Sequence, residues 1–110
     1  MPAYLIAMVR VDDPETYRKY TAHTPAIIAA HGGRFLVRGG AVATLEGDAF
    51  NQRLVVIEFP SMEAAREFYD SPEYRSIMPF RQAAAEAVFV LAEGVPDGVA
   101  APDDRVVKTT

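Results

Sequence analysis

Cysteine is absent from these 110 residues. No disulfide, no thiolate nucleophile and no thiolate metal ligand is therefore available, which fits a reducing compartment. Basic charge is scarce as well: 11 Lys and Arg against 15 Asp and Glu leave a net charge of −4, and the cations are scattered. A nucleic-acid surface needs a basic stripe, so no nucleic-acid partner is expected. The apolar run from Ala3 to Val9 has no basic segment before it and falls far short of the ~20 residues that span a bilayer. It reads as a strand and not as a signal or membrane helix, so no membrane partner is expected and the cytoplasm is the expected location.

Histidine is nearly as rare. His23 and His31 stand about two helical turns apart, too far to share one metal without help, and no His-x-x-x-His pair or carboxylate cluster supplies it. Gly32-Gly33 and Gly39-Gly40 lack the spacing of a dinucleotide or P-loop fingerprint, and no Gly-x-Ser-x-Gly element is present. No metal and no cofactor is expected, which leaves only reactions that protein acids and bases run alone.

What the chain does have is strands that are apolar on both faces. Tyr4, Ile6 and Met8 alternate with Leu5, Ala7 and Val9, and Leu54 and Val56 alternate with Val55, Ile57 and Phe59. So short a chain can cover a sheet with its own helices on one side only. The other face would expose more than the roughly 300–600 Å² of apolar surface that soluble monomers tolerate. A second copy of the chain is the simplest cover, so a homodimer is expected, with either Val55 or Val56 facing the partner.

The order of elements follows from local signals. Ala3 to Val11 reads as a strand, and Asp13 then caps a helix with Pro14 in its first turn. Tyr17, Tyr20, Thr24, Ile27 and His31 share one helical face, Pro25 breaks the helix near Thr24, and Gly32-Gly33 ends it. Arg34 to Val37 is a second strand; after a bend at Gly39-Gly40, strand character resumes from Ala41 to Leu45, and Arg53 to Phe59 returns across a Glu46-Gly47-Asp48 turn. Ser61 and Ser71 cap two more helices, Pro79 kinks the second before Phe80 to Glu86, and Ala87 to Ala92 is the last strand. The class is α+β, in the β-α-β-β-α-β order of a ferredoxin-like protomer. The domain takes residues 1–95; Pro96, Gly98 and Pro102 mark 96–110 as an extended C-terminal tail.

The stretch from His31 to Gly40, then Leu45-Glu46-Gly47-Asp48 and Val55 to Pro60, resembles a bacterial family known as domain of unknown function 1330. Phe68-Tyr69, Ser71-Pro72-Glu73-Tyr74, Arg81 and a last strand ending in Glu93-Gly94 extend the likeness. The resemblance implies a dimeric α/β barrel in which two ferredoxin-like sheets pack face to face. It assigns no activity, and the wider superfamily includes cofactor-independent monooxygenases, haem-degrading enzymes and muconolactone-isomerase-like proteins.

Polar side chains interrupting apolar elements are the candidate site. Pairing Glu46 with Arg53 would set Ala41 opposite Glu58 and bring Arg38 within reach of Glu58, as a structural ion pair or as an anion holder beside a base. Tyr69, Tyr74 and Arg81 could line the same pocket between sheet and helices, or simply pack the helix against the sheet. His31 suits a helix C-terminus, which leaves His23 with Glu58 as the candidate bases. The expected function is binding of a small aromatic or acidic metabolite by Arg38, Glu58, Tyr69, Tyr74 and Arg81; the alternative is a cofactor-independent monooxygenase or isomerase-like enzyme.

Overall fold

Alternation along three strands decides which side chains meet the helices. In the computed structural model, which describes residues 1–96, β1 (Ala3–Val11) buries Ala3, Leu5, Ala7 and Val9 and leaves Tyr4, Ile6 and Met8 half-covered on the other face. β3 (Arg53–Phe59) does the same, with Val55, Ile57 and Phe59 inward. β4 (Ala85–Glu93) turns Val88 and Val90 outward, 59% and 46% exposed. With β2 (Arg34–Arg38) these form one antiparallel sheet in the order β2-β3-β1-β4. The core lies between that sheet and the helices, and its most buried large side chains are Tyr74, Phe59, Phe68 and Val9. The expected tail lies, beyond Pro96, outside the described residues.

The helices start where their caps dictate. Asp13 accepts from the Thr16 N–H at the head of α1 (Pro14–Thr21), Ser61 from Ala64 at the head of α3 (Met62–Asp70), and Ser71 from Tyr74 at the head of α4 (Pro72–Ala84). Each such cap is worth about 1 kcal/mol. The break expected near Thr24 is real: α1 stops at Thr21, and α2 (Thr24–Ala30) restarts with Pro25 in its first turn. The hydrogen-bonded helix α4 runs unbroken through Pro79 and stops at Ala84, and the last strand begins earlier than expected. Pairing with β1 extends as far as Arg10↔Glu86 and Val11↔Ala85, and these contacts draw residues 85 and 86 out of the helix.

The strand expected over Ala41–Leu45 is not formed. Gly39 donates to the Leu54 carbonyl at 2.9 Å and then takes a φ of +71°, a left-handed conformation that turns the chain away from β3. The Arg53 guanidinium lies so close beneath Gly39 that an added Cβ would collide with it. The register therefore differs from the expected one: Arg34 faces Glu58, a bulge falls between Phe35 and Val37, and Arg38 faces Val55.

The two neighbouring valines, indistinguishable in sequence, have opposite fates. Val55→Asp places a charge in the helix-facing core, at a cost of several kcal/mol against a typical stability of about 5–15 kcal/mol, and is expected to abolish the folded circular dichroism spectrum. Val56→Asp stands on the open face and is expected to keep it.

Candidate functional site

Three helices deliver polar groups onto the inner face of the sheet. Tyr17 and Tyr20 sit one turn apart on α1, and Tyr74 and Arg81 sit two turns apart on α4, so each pair shares a face. The Tyr20 and Tyr74 hydroxyls are 2.7 Å apart, and Arg81 Nε donates to the Tyr74 oxygen at 3.3 Å. Tyr74 can thus accept from the arginine and pass its own proton to Tyr20. The Tyr69 ring of α3 packs 5.5 Å from Tyr74 and 6.2 Å from Phe89 of β4, closing an aromatic enclosure around the pair.

Arg81 is 8% exposed, with its guanidinium 4.5 Å from the Phe89 ring centre and 6.0 Å from that of Tyr20. Among the described residues the ion pairs engage Arg10, Arg34 and Arg75, and none reaches Arg81. A guanidinium stays charged at any ordinary pH, so this is a buried cation whose charge no carboxylate answers. Burial pushes the Tyr20 hydroxyl far above its usual range, reinforced by the neighbouring Tyr74 oxygen. Burial also raises Tyr74, against the opposing pull of Tyr20 and Arg81. Both phenols are hydrogen-bonding groups at neutral pH, and neither is a base.

Two spaces adjoin this cluster. A small internal cavity of about 30 Å³, room for a water or two, is lined by Tyr17, Tyr20, Thr24, Phe35, Phe68 and Phe89 among others. A larger groove of about 400 Å³ runs between α3 and β4 past Arg66, Tyr69, Asp70 and Leu91. Phe89 and Leu5 line both, so the Phe89 ring under Arg81 is their common wall. At the other end of the cluster Arg53 lies 5.9 Å from the Tyr17 ring centre, with a buried Nε that has no hydrogen-bond partner. Burial raises the Tyr17 hydroxyl too, and the Arg53 charge opposes the shift.

Of the side chains singled out in the sequence, the structure brings Tyr69, Tyr74 and Arg81 together and leaves Arg38 and Glu58 apart from them. Glu58 lies on the open face of the sheet, paired with Arg34 at 2.8 Å, because residue 58 alternates away from Val55, Ile57 and Phe59. The expected Arg38–Glu58 pair is thus an Arg34–Glu58 pair. The hydrogen bond from Arg34 holds the Glu58 carboxyl below the usual carboxylate range, which makes it a weaker base than an unpaired glutamate. Arg38 is exposed, with its guanidinium 4.5 Å from the Phe35 ring centre. His23 is exposed at the N-cap of α2 and makes no capping hydrogen bond, while His31 Nδ1 lies 2.9 Å from the Ile27 carbonyl at that helix's end, the role expected of it.

Sequence reasoning placed Tyr17 and Tyr20 on one helical face but did not count them in the site, nor Arg53. Two hydroxyl-bearing rings on one apolar stripe were the available signal, since a buried phenol needs a partner. Arg53 had none, because only the turn at Gly39 shows what lies above it.

Removing one hydroxyl tests the network. Tyr20→Phe removes one of the two partners of the Tyr74 hydroxyl, which keeps Arg81, and is expected to cost about 1–2 kcal/mol in chemical denaturation, whereas Tyr74→Phe strips partners from both Tyr20 and Arg81 and is expected to cost more, about 2–4 kcal/mol. Equal losses would show that the Arg81 contact carries no energy.

Comparison with known proteins agrees with the fold. A protein of unknown function from Rhodopseudomonas palustris superposes with a TM-score of 0.70 at 22% identity, over 86% of this chain and 83% of that one. SnoaB, a cofactor-independent oxygenase from Streptomyces nogalater, superposes with a TM-score of 0.62 at 16% identity, over 88% and 96%. A dimeric ferredoxin-like protein of unknown function from Thermobifida fusca gives 0.57 at 20% identity, over 84% and 90%. No curated protein matches the sequence. Residues 2–95, almost the whole described chain, match one family along their length, and the chain belongs to that family, the domain of unknown function DUF1330.

Proposed function

We propose that the protein is a homodimer that binds a small aromatic or acidic metabolite between its sheet and its helices. The observation that carries this reading is the buried Arg81 charge, unpaired among the described residues, inside an aromatic enclosure. Leaving such a charge unanswered is costly, and a ligand carboxylate or phenolate reaching the guanidinium would supply the missing counter-charge. Tyr20 lines the internal cavity, Tyr69 lines the larger groove between α3 and β4, and the Phe89 ring, against which Arg81 packs, lines both. Apolar concavities with a few converging polar groups are the usual form of a ligand site.

The enzymatic alternative, a cofactor-independent monooxygenase or isomerase-like activity, needs a base beside its substrate. Glu58 lies on the opposite face of the sheet from the Tyr20–Tyr74–Arg81 cluster, and His23 is exposed at a helix start. The likeness to an oxygenase supports the fold only. Binding is the function this arrangement favours.

The homodimer reading rests on the open sheet face, where Ile6, Met8, Leu54, Val56, Val88 and Val90 stand without a covering helix. The dimeric relative from Thermobifida fusca supports it. Sedimentation is expected to give twice the chain mass at micromolar concentration, and Val56→Asp is expected to shift it to a folded monomer; a wild-type monomer refutes the reading.

Ligand binding is tested by thermal shift with benzoate and salicylate against the uncharged benzyl alcohol. At a hundredfold excess over Kd an acid is expected to stabilise the fold by about 2.7 kcal/mol, and Arg81→Gln to abolish that gain. Equal stabilisation by acid and alcohol, or an unchanged response in Arg81→Gln, overturns the assignment.

A further inference from the structure

The connection between β2 and β3 is long, apolar in pattern and unsupported by its own chain. Every residue from 41 to 49 is exposed, with Leu45 at 92% and Val42 at 38%. Among the described residues none from 40 to 49 makes a backbone–backbone hydrogen bond. A single exposed leucine is ordinary. A strand-like sequence with no strand to pair with, in a connection near the upper limit for structureless loops, is not. The segment also has a built tip: Phe50 N–H donates to Thr44 Oγ1 at 2.8 Å, and Gly47 takes a φ of +85° within the turn that presents Leu45.

A receptor for such a tip exists at the same end of the sheet. On the open face a groove of about 150 Å³ lies among Met8, Arg10, Gln52, Glu86, Ala87 and Val88. Met8 and Val88 give it apolar walls, and Arg10, already paired with Asp12 and Glu86, forms a polar rim. The tip offers the apolar Leu45, held out by the backbone turn. The antiparallel register places the end of β2 and the start of β3 at the same end as Arg10 and Glu86. The arm leaves from the β2 edge, and the groove runs from Gln52, at the head of β3, across β1 to β4 at the opposite edge. A two-fold axis running along the strands, between two facing sheets, would exchange the edges and keep the ends. Such an arrangement would bring each arm over the β4 side of the other copy's groove, a closed and reciprocal contact.

The geometry points to residues 41–49 as a clasp that seats Leu45 in the Met8–Val88 groove of a second copy of this chain. This inference rests on the homodimer reading and adds to it which segment, beyond the sheet face, holds the copies together. Gly39 and Gln52 mark the two ends of the clasp, and the positive φ at Gly39 directs it away from its own sheet.

The test uses the full chain. In Leu45→Lys the protomer is expected to keep its circular dichroism and melting profile at low concentration, since nothing of the fold packs on that side chain. Its dimer dissociation constant in sedimentation is expected to rise by about a hundredfold or more, the loss of both reciprocal leucine contacts of the dimer. In wild type at high concentration, hydrogen exchange of the 41–45 amides is expected to be slowed, and in Leu45→Lys to return to the rate of an open peptide. A wild-type dimer with fast exchange over 41–45 and an unchanged constant in Leu45→Lys overturns the clasp while sparing the dimer. A wild-type monomer overturns both.

Discussion

The helices of this chain cover one face of its sheet and no more. That limit follows from length: α3 packs against β1, β3 and β4, α4 against β4, α2 against β2 and α1 against α4, all on a single side, and what each strand turns inward or outward is set by the two-residue repeat of the backbone. Everything polar that was placed inward had to find a partner inside, and everything apolar turned outward was left for another molecule. The site and the proposed association surface are the two sides of one sheet.

On the inner side the design is unusual in retaining a full charge. An aliphatic residue at Arg81 would fill the space between Tyr74 and Phe89 without desolvating a cation, so a fold built for stability alone gains nothing from the arginine. The surrounding rings ease the charge through their π faces, and the Tyr74 oxygen accepts one of its hydrogens. Such partial satisfaction is the condition in which an incoming anion gains most. Arg53 repeats the theme at the far end of the cluster, with a buried Nε facing no acceptor.

On the outer side, the Arg34–Glu58 pair and the Arg10 pairs with Asp12 and Glu86 form a charged rim around the apolar centre made by Ile6, Met8, Val56 and Val90. A polar margin around an apolar middle is the ordinary anatomy of an association surface. Such exposed pairs add little to the stability of a single protomer.

The sequence by itself determined the elements, their order and the two-sided character of the strands. Asp13, Ser61 and Ser71 announced three helix starts, Pro25 a break, and the alternation from Tyr4 to Val9 a strand, because caps, prolines and side-chain repeats act within a few residues of themselves. Tyr69, Tyr74 and Arg81 were legible as polar groups on apolar elements. Only the tertiary structure decided that Glu58 belongs to Arg34 and not to Arg38, that Val55 is core and Val56 is not, and that Ala41–Leu45 joins no strand among the described residues. The Arg34–Glu58 pairing and the unformed strand turn on register, settled by the left-handed turn at Gly39 and the bulge at Leu36, whereas the fates of Val55 and Val56 turn on which face of β3 the helices cover; both are decided by parts of the chain distant in sequence.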